Sequence, residues 1–147
     1  YTVIIDYAHT PDGLENIISS LRKIAKNRII TVFGCGGDRD KTKRPIMGSI
    51  AAKLSDVIVV TSDNPRSEAP DAIIEDILAG VKGSKVKKII KEDRTQAIAA
   101  AMAEAEADDI IILAGKGHET YQILNTGKIH YDEREIVSGI LDGSIKG

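Results

Sequence analysis

Arg28-Ile29-Ile30-Thr31-Val32-Phe33 runs straight into Gly34-Cys35-Gly36-Gly37-Asp38-Arg39-Asp40. After Arg28 the first segment is short, β-branched and apolar nearly throughout. Such a run lacks the alternation of a half-solvated strand and suits one covered on both faces, as in a parallel sheet. The second segment is glycine and charge, and it begins where the strand pattern stops. The same pairing recurs. Thr2–Asp6 leads into Asp6-Tyr7-Ala8-His9, residues 57–61 into Ser62-Asp63-Asn64-Pro65-Arg66, and Ile110–Ala114 into Gly115-Lys116-Gly117-His118-Glu119, while residues 87–91 give a further strand. In an open parallel sheet the carboxyl ends of the strands share one edge, where ligands bind between diverging loops. The sequence therefore predicts these loops on one rim.

Helical patterns separate the strands. Leu14, Ile17, Ile18, Leu21, Ile24 and Ala25 recur at helical spacing as one stripe, with Thr10 as cap and Pro11 in the first turn. Pro45 is read the same way ahead of Ile46, Met47, Ile50, Ala51 and Leu54, and Pro70 ahead of Ile73, Ile74, Ile77 and Leu78. Asp93 with Gln96, and Asp132 with Glu135, have the spacing of capping boxes before residues 97–107 and before Ile136, Val137, Ile140 and Leu141. Tyr121–Leu124 and residues 128–131 flank Asn125-Thr126-Gly127 and predict a hairpin. The expected fold is an α/β, Rossmann-like three-layer sandwich, its sheet mostly parallel, with a small hairpin near the C-terminus.

The 147 residues fit one domain, and 42 % of them are hydrophobic, enough for a sizeable core. A net charge of −2 gives no electrostatic reason to expect a nucleic-acid partner. No apolar stretch is long enough to span a bilayer, and no secretory signal is visible. A lone Cys35 can form no intrachain disulfide, so a cytoplasmic protein is expected; a monomer is the separate expectation for its assembly. The opening at Tyr1, directly into Val3-Ile4-Ile5, reads as a domain cut from a longer protein.

Two phosphate-binding motifs fail. A P-loop ending at Lys41-Thr42 would need glycine where Cys35 and Asp40 stand. A dinucleotide fingerprint would need glycine at Arg39 or at Thr120. The loops do carry carboxylate chemistry. Arg39 in the basic, glycine-rich loop 34–44 can hold a carboxylate through two N–H bonds; the alternative is a solvated basic loop. Pro65 restricts Asn64, so Asn64 and Arg66 can point one way and grip a carboxylate; the alternative is a plain turn. Glu119 can accept from an ammonium, whereas His118 reads as structural. Cys35 reads as a small packed residue, and no metal-ligand spacing joins His9, His118, His130 and Cys35. Two arginines and an asparagine beside a glutamate suit a zwitterion, hence an amino acid.

Residues 6–12 (Asp-Tyr-Ala-His-Thr-Pro-Asp), 34–41 (Gly-Cys-Gly-Gly-Asp-Arg-Asp-Lys), 43–45 (Lys-Arg-Pro), 63–66 (Asp-Asn-Pro-Arg) and 115–119 (Gly-Lys-Gly-His-Glu) together resemble the Mur ligase family, in particular its diaminopimelate-adding members. The resemblance implies that residues 1–147 form the C-terminal, amino-acid-binding domain, without the N-terminal UDP-precursor domain and the central ATPase domain. It implies that Arg39, Asn64 and Arg66 bind the distal carboxylate of meso-diaminopimelate, that Gly115 and Glu119 hold its ammonium, and that Asp63-Asn64-Pro65-Arg66 selects it over lysine. Asp6 and His9 would face the nucleotide, Lys41 and Lys116 would add positive charge near phosphate or carboxylate, and ATP and Mg would be held mainly by the central domain. The implied reaction is amide formation. ATP phosphorylates the D-glutamate carboxylate of UDP-MurNAc-L-Ala-D-Glu, and the amine attacks the acyl phosphate. No catalytic residue is expected in this domain, which would position the amine and would not ligate alone. The competing readings are a lysine-adding ligase domain, another enzyme of the superfamily, and a stand-alone amino-acid-binding module.

Overall fold

The computed structural model describes residues 1–146. Five parallel strands, β1 (Thr2–Asp6), β2 (Ile29–Phe33), β3 (Val57–Val60), β4 (Lys87–Ile90) and β5 (Ile110–Ala114), form one sheet in the order β1-β5-β2-β3-β4. The two central neighbours β2 and β5 are buried along their whole length, as their unbroken apolar runs require. Helices α1 (Pro11–Arg22), α2 (Lys43–Leu54) and α3 (Pro70–Ala79) cover one face, and α4 (Arg94–Glu104) with α5 (Glu133–Asp142) covers the other. The two-residue period of the strands divides the core accordingly. Ile29, Phe33, Ile58 and Ile112 meet α1–α3, while Ile30, Val32, Val59 and Leu113 meet α4 and α5. The expected three-layer α/β fold is present, with a core of its own.

Connections from β1, β2 and β3 pass to the first helical layer, whereas those from β4 and β5 pass to the second. Because β5 lies between β1 and β2, loops leaving adjacent strands diverge on either side of it, which opens a crevice at the carboxyl edge. The hairpin β6 (Tyr121–Leu124) and β7 (Gly127–His130) stands apart as an antiparallel pair turning at Asn125-Thr126. No helix among the described residues is long and apolar enough to cross a membrane.

Local details differ from the sequence reading for identifiable reasons. The first helix stops at Arg22. The Ile24 N–H bonds Leu21 O, tightening the last turn and swinging Ile24 off the stripe to 69 % exposure. Helix α2 starts two residues before Pro45, which the first turn tolerates because its N–H groups have no partner inside the helix. Asp40 instead prepares that end by accepting from the Thr42 N–H and hydroxyl. Both capping boxes are half made, the first by Asp93 accepting from the Gln96 N–H at 3.0 Å. Asp132 accepts from the Arg134 N–H, but Glu135 turns to His130 Nε2 at 2.8 Å. The alanine-rich helix ends at Glu104, short of the expected 107, where Ala105 turns extended. Strand β4 is an edge whose Lys87 and Lys88 face solvent, a common guard against edge pairing.

One buried ion pair ties the layers together. Arg94 Nε donates to Glu133 Oε2 at 2.9 Å with both side chains inaccessible to solvent, and its other nitrogens reach Ser62 O and Ala114 O at 2.9 and 3.0 Å. Glu133→Ala leaves that guanidinium buried without its counter-charge. The expected cost is about 3–5 kcal/mol in urea denaturation; a loss below about 1 kcal/mol would show that water reaches Arg94.

Candidate functional site

A cavity of about 410 Å³ opens at the carboxyl edge. Its wall includes Tyr7 and His9 after β1, Gly34 to Gly36 and Arg39 after β2, Asp63, Asn64 and Arg66 after β3, and Gly115 and Glu119 after β5. The loops expected on one rim therefore converge on one space. Two of them meet backbone to backbone. A side chain at Gly34 would strike Thr61 O, and one at Gly37 would strike Pro65 O. The Gly37 N–H accordingly reaches Asn64 O at 2.8 Å. Asp38 and Arg66 both adopt positive φ, 55° and 52°, uncommon for residues with a Cβ. Local bonds hold them there. The Asp38 carboxylate accepts from the Ser67 hydroxyl at 2.6 Å, and the Arg66 N–H donates to Ile123 O at 3.1 Å.

The hairpin clamps the loop after β3. Gln122 Nε2 donates to Asp63 O at 2.9 Å, and the Ile123 N–H donates to Asn64 Oδ1 at 3.0 Å. Arg66 Nη1 donates to Gly37 O at 3.0 Å, which holds one edge of its guanidinium beside the glycine-rich loop. Arg39 is exposed, its guanidinium donating to Asp38 O at 2.9 Å. Across the cavity Glu119 Oε2 accepts from the Tyr121 hydroxyl at 3.2 Å, and the adjacent Glu119 charge raises the tyrosine pKa. Gly115 holds a φ of 115°, with its missing side chain directed at the Asp63 carboxylate.

Arg39, Asp63, Asn64, Arg66, Gly115, Glu119 and His9 all line this cavity, whereas Asp6 and Pro65 do not. The Asp6 carboxylate is occupied by the Ala8 N–H at 2.9 Å, and Pro65 supports the loop from behind. His118, expected to be structural, is exposed, its ring 5.4 Å from that of Tyr7, which also lies 4.7 Å from His9. Cys35 is packed, 3.7 Å from Met47 Sδ, and burial pushes its thiol up to about 12, so it is no nucleophile at neutral pH.

Two basic residues differ from the sequence reading. Arg44 is not part of a solvated loop. It is 1 % exposed, paired with Glu68 at 2.7 Å and Asp76 at 2.9 Å, and donates to Gly36 O. Lys116 offers no charge outward, because its ammonium is fully buried among oxygens of its own chain. Burial lowers its pKa, against the neighbouring Asp63. A lysine between two glycines gives no sign of burial in sequence. Lys41 remains exposed, 3.6 Å from Glu68.

Glu68 braces the glycine-rich loop, accepting from Arg44 and from the Asp38 N–H. These bonds, that from Arg44 foremost, hold its carboxyl at about 2, against an ordinary 4.5. Since the folded value is the lower one, its stabilisation is full above pH 4.5 and is lost as pH falls towards 2. Glu68→Gln is expected to be less stable than the parent at neutral pH and to lose less stability across that window. Parallel acid titrations would contradict the assignment.

Residues 1–117 match the family described as Mur ligase, glutamate ligase domain. The chain is 60 % identical over 138 residues to UDP-N-acetylmuramoyl-L-alanyl-D-glutamate–2,6-diaminopimelate ligase 1 of Clostridium acetobutylicum, covering 94 % of this chain and 28 % of that protein. It is 59 % identical over 133 residues to the ligase of the same description from Gloeobacter violaceus, covering 90 % and 27 %. A solved structure of UDP-N-acetylmuramoyl-L-alanyl-D-glutamate–2,6-diaminopimelate ligase superposes with a TM-score of 0.92 at 39 % identity, over 99 % of this chain and 30 % of that one. The chain thus spans less than a third of the length of these relatives. It belongs to the Mur ligase family, by the segment described as the glutamate ligase domain.

Proposed function

We propose that this chain is the C-terminal domain of a cytoplasmic ATP-dependent ligase that adds meso-diaminopimelate to UDP-MurNAc-L-Ala-D-Glu, and that its cavity receives the incoming amino acid. The observation that carries this reading is the division of the wall. Arg39, Arg66 and Asn64 offer N–H donors on one side, and Glu119 offers a carboxylate on the other. An amino acid with a carboxylate and an ammonium at its distal end satisfies both. Lysine would satisfy only Glu119 and leave the arginines unmatched, a mismatch that sites built for hydrogen bonding reject strongly. The names of the relatives support the same substrate.

The contribution of this chain is to bind and orient. Guanidinium groups fix one end of the substrate, so its reacting amine is held in a narrow range of positions, which removes much of the entropic barrier to attack. ATP supplies the activation of the acceptor carboxyl. Its phosphates and magnesium are assigned mainly to the central domain, in keeping with the broken P-loop spacing of this chain. The exposed Tyr7, His9 and His118 rings and the neighbouring Asp6 form the side we assign to the nucleotide.

Titration of the isotopically labelled chain tests the substrate. With meso-diaminopimelate, amide shifts are expected in loops 34–44, 62–67 and 115–119, with much weaker shifts for L-lysine, and Arg66→Ala should abolish the difference. Equal responses to both amino acids would point instead to a lysine-type site. Tight binding of an unrelated ligand would favour a stand-alone module.

A further inference from the structure

The Lys116 ammonium reaches Asn64 Oδ1 and Tyr121 O, both at 3.0 Å, and lies 3.2 Å from Asp63 Oδ1 and 3.9 Å from Glu119 Oε1. It is absent from the cavity wall, yet it touches three residues that form it. A side-chain amide can present either its oxygen or its nitrogen to a ligand, and a half-turn about its last bond exchanges them. At Asn64 that choice is fixed from behind. Lys116 and the Ile123 N–H are both donors, both directed at Oδ1, so the oxygen faces inward and Nδ2 is left for the cavity.

We propose that Lys116 is a positioning residue that makes the cavity selective for a carboxylate, by locking the Asn64 amide with its N–H₂ outward and by neutralising Asp63. The proposal rests on the reading of the cavity as an amino-acid site. Asp63 is 8 % exposed and lines the cavity, so without Lys116 its charge would repel an incoming carboxylate. Asp63 Oδ1 and Tyr121 O would also be left without their cation. Both would draw the Asn64 N–H₂ inward and turn its oxygen to the substrate. A turned oxygen and an unpaired acid favour an ammonium, as in lysine, over a carboxylate. Lys116 thereby acts on specificity without touching the ligand.

The test compares wild type, Lys116→Met, Asn64→Ala and the double variant by NMR titration with meso-diaminopimelate and L-lysine. Lys116→Met is expected to lower the diaminopimelate-over-lysine affinity ratio about tenfold or more while keeping a native amide spectrum, and to lower it by a smaller factor in the Asn64→Ala background, where only the uncovered Asp63 charge still acts. An unchanged ratio, or an equal fall in both backgrounds, overturns the proposal, since a merely structural lysine would act without Asn64. The Asn64 side-chain amide gives a reading that needs no ligand. One fixed orientation is expected in wild type and two in Lys116→Met; a single orientation in both overturns the proposal. If wild type distinguishes neither amino acid, the diaminopimelate reading fails and the amide measurement alone decides whether Lys116 holds the Asn64 amide. Should Lys116→Met lose its native spectrum, Asn64→Asp asks the same question. Lys116 and Ile123 then hold one oxygen and leave the other facing the cavity, so the ratio must fall below that of wild type, and an unaltered ratio overturns the lock.

Discussion

Arg94 is a guanidinium sealed from solvent at the point where two strands end. It donates to Ala114 O, the last carbonyl of β5, and to Ser62 O in the loop after β3, and its charge is met by Glu133 at the start of α5. Two main-chain oxygens that would otherwise lie buried without a partner are thereby satisfied. The spacing between the β3 and β5 loops is set at the same time. Asn64, Lys116 and Glu119 stand on those loops within five residues of the contact, so the geometry of the cavity is referred to one planar cation.

Around that anchor the charges are sorted by depth. Arg94, Lys116 and Arg44 are buried and matched by Glu133, Asp63 and Glu68. Their work is internal, since each links a loop to a neighbouring element. Arg66 is half-buried, Arg39 is exposed, and neither has a carboxylate of this chain within salt-bridge distance among the described residues. The unmatched positive charge of Arg39 and Arg66 thus faces the cavity, while the compensated Arg94 and Lys116 lie behind its wall. A near-neutral chain can in this way present a cationic wall.

The layered fold was legible because it follows from local pattern. Val57–Val60 and Ile110–Ala114 have no polar side for water, which leaves little alternative to a sheet covered twice. The glycine-rich and Asp-Asn-Pro-Arg loops could be assigned to one edge, because parallel strands point one way. What escaped the sequence is the set of contacts between segments distant along the chain. Nothing near Lys116 announces that Asn64, 52 positions earlier, accepts its hydrogen bond. Nothing in loop 34–44 separates Arg44, which meets Glu68 ahead of α3 and Asp76 on it, from Lys41, which stays exposed. The hairpin was readable as a hairpin, but its grip on Asp63 and Asn64 required the third dimension. Ile24 shows the limit at short range, since one tightened turn moves a residue from stripe to surface.

The contacts of Gly34 with Thr61 O, and of Gly37 with Pro65 O, leave no gap in which a side chain could grow. Part of the vessel is thus built of peptide units, whose chemistry is the same in every sequence. Over evolutionary time such a wall cannot be retuned by small steps, because the first methyl group added there would part the loops. Variation in what the cavity accepts is channelled into positions whose side chains line it, Arg39, Asn64, Arg66 and Glu119 among them. A lineage changing its preference would exchange those residues and keep the glycines that frame them.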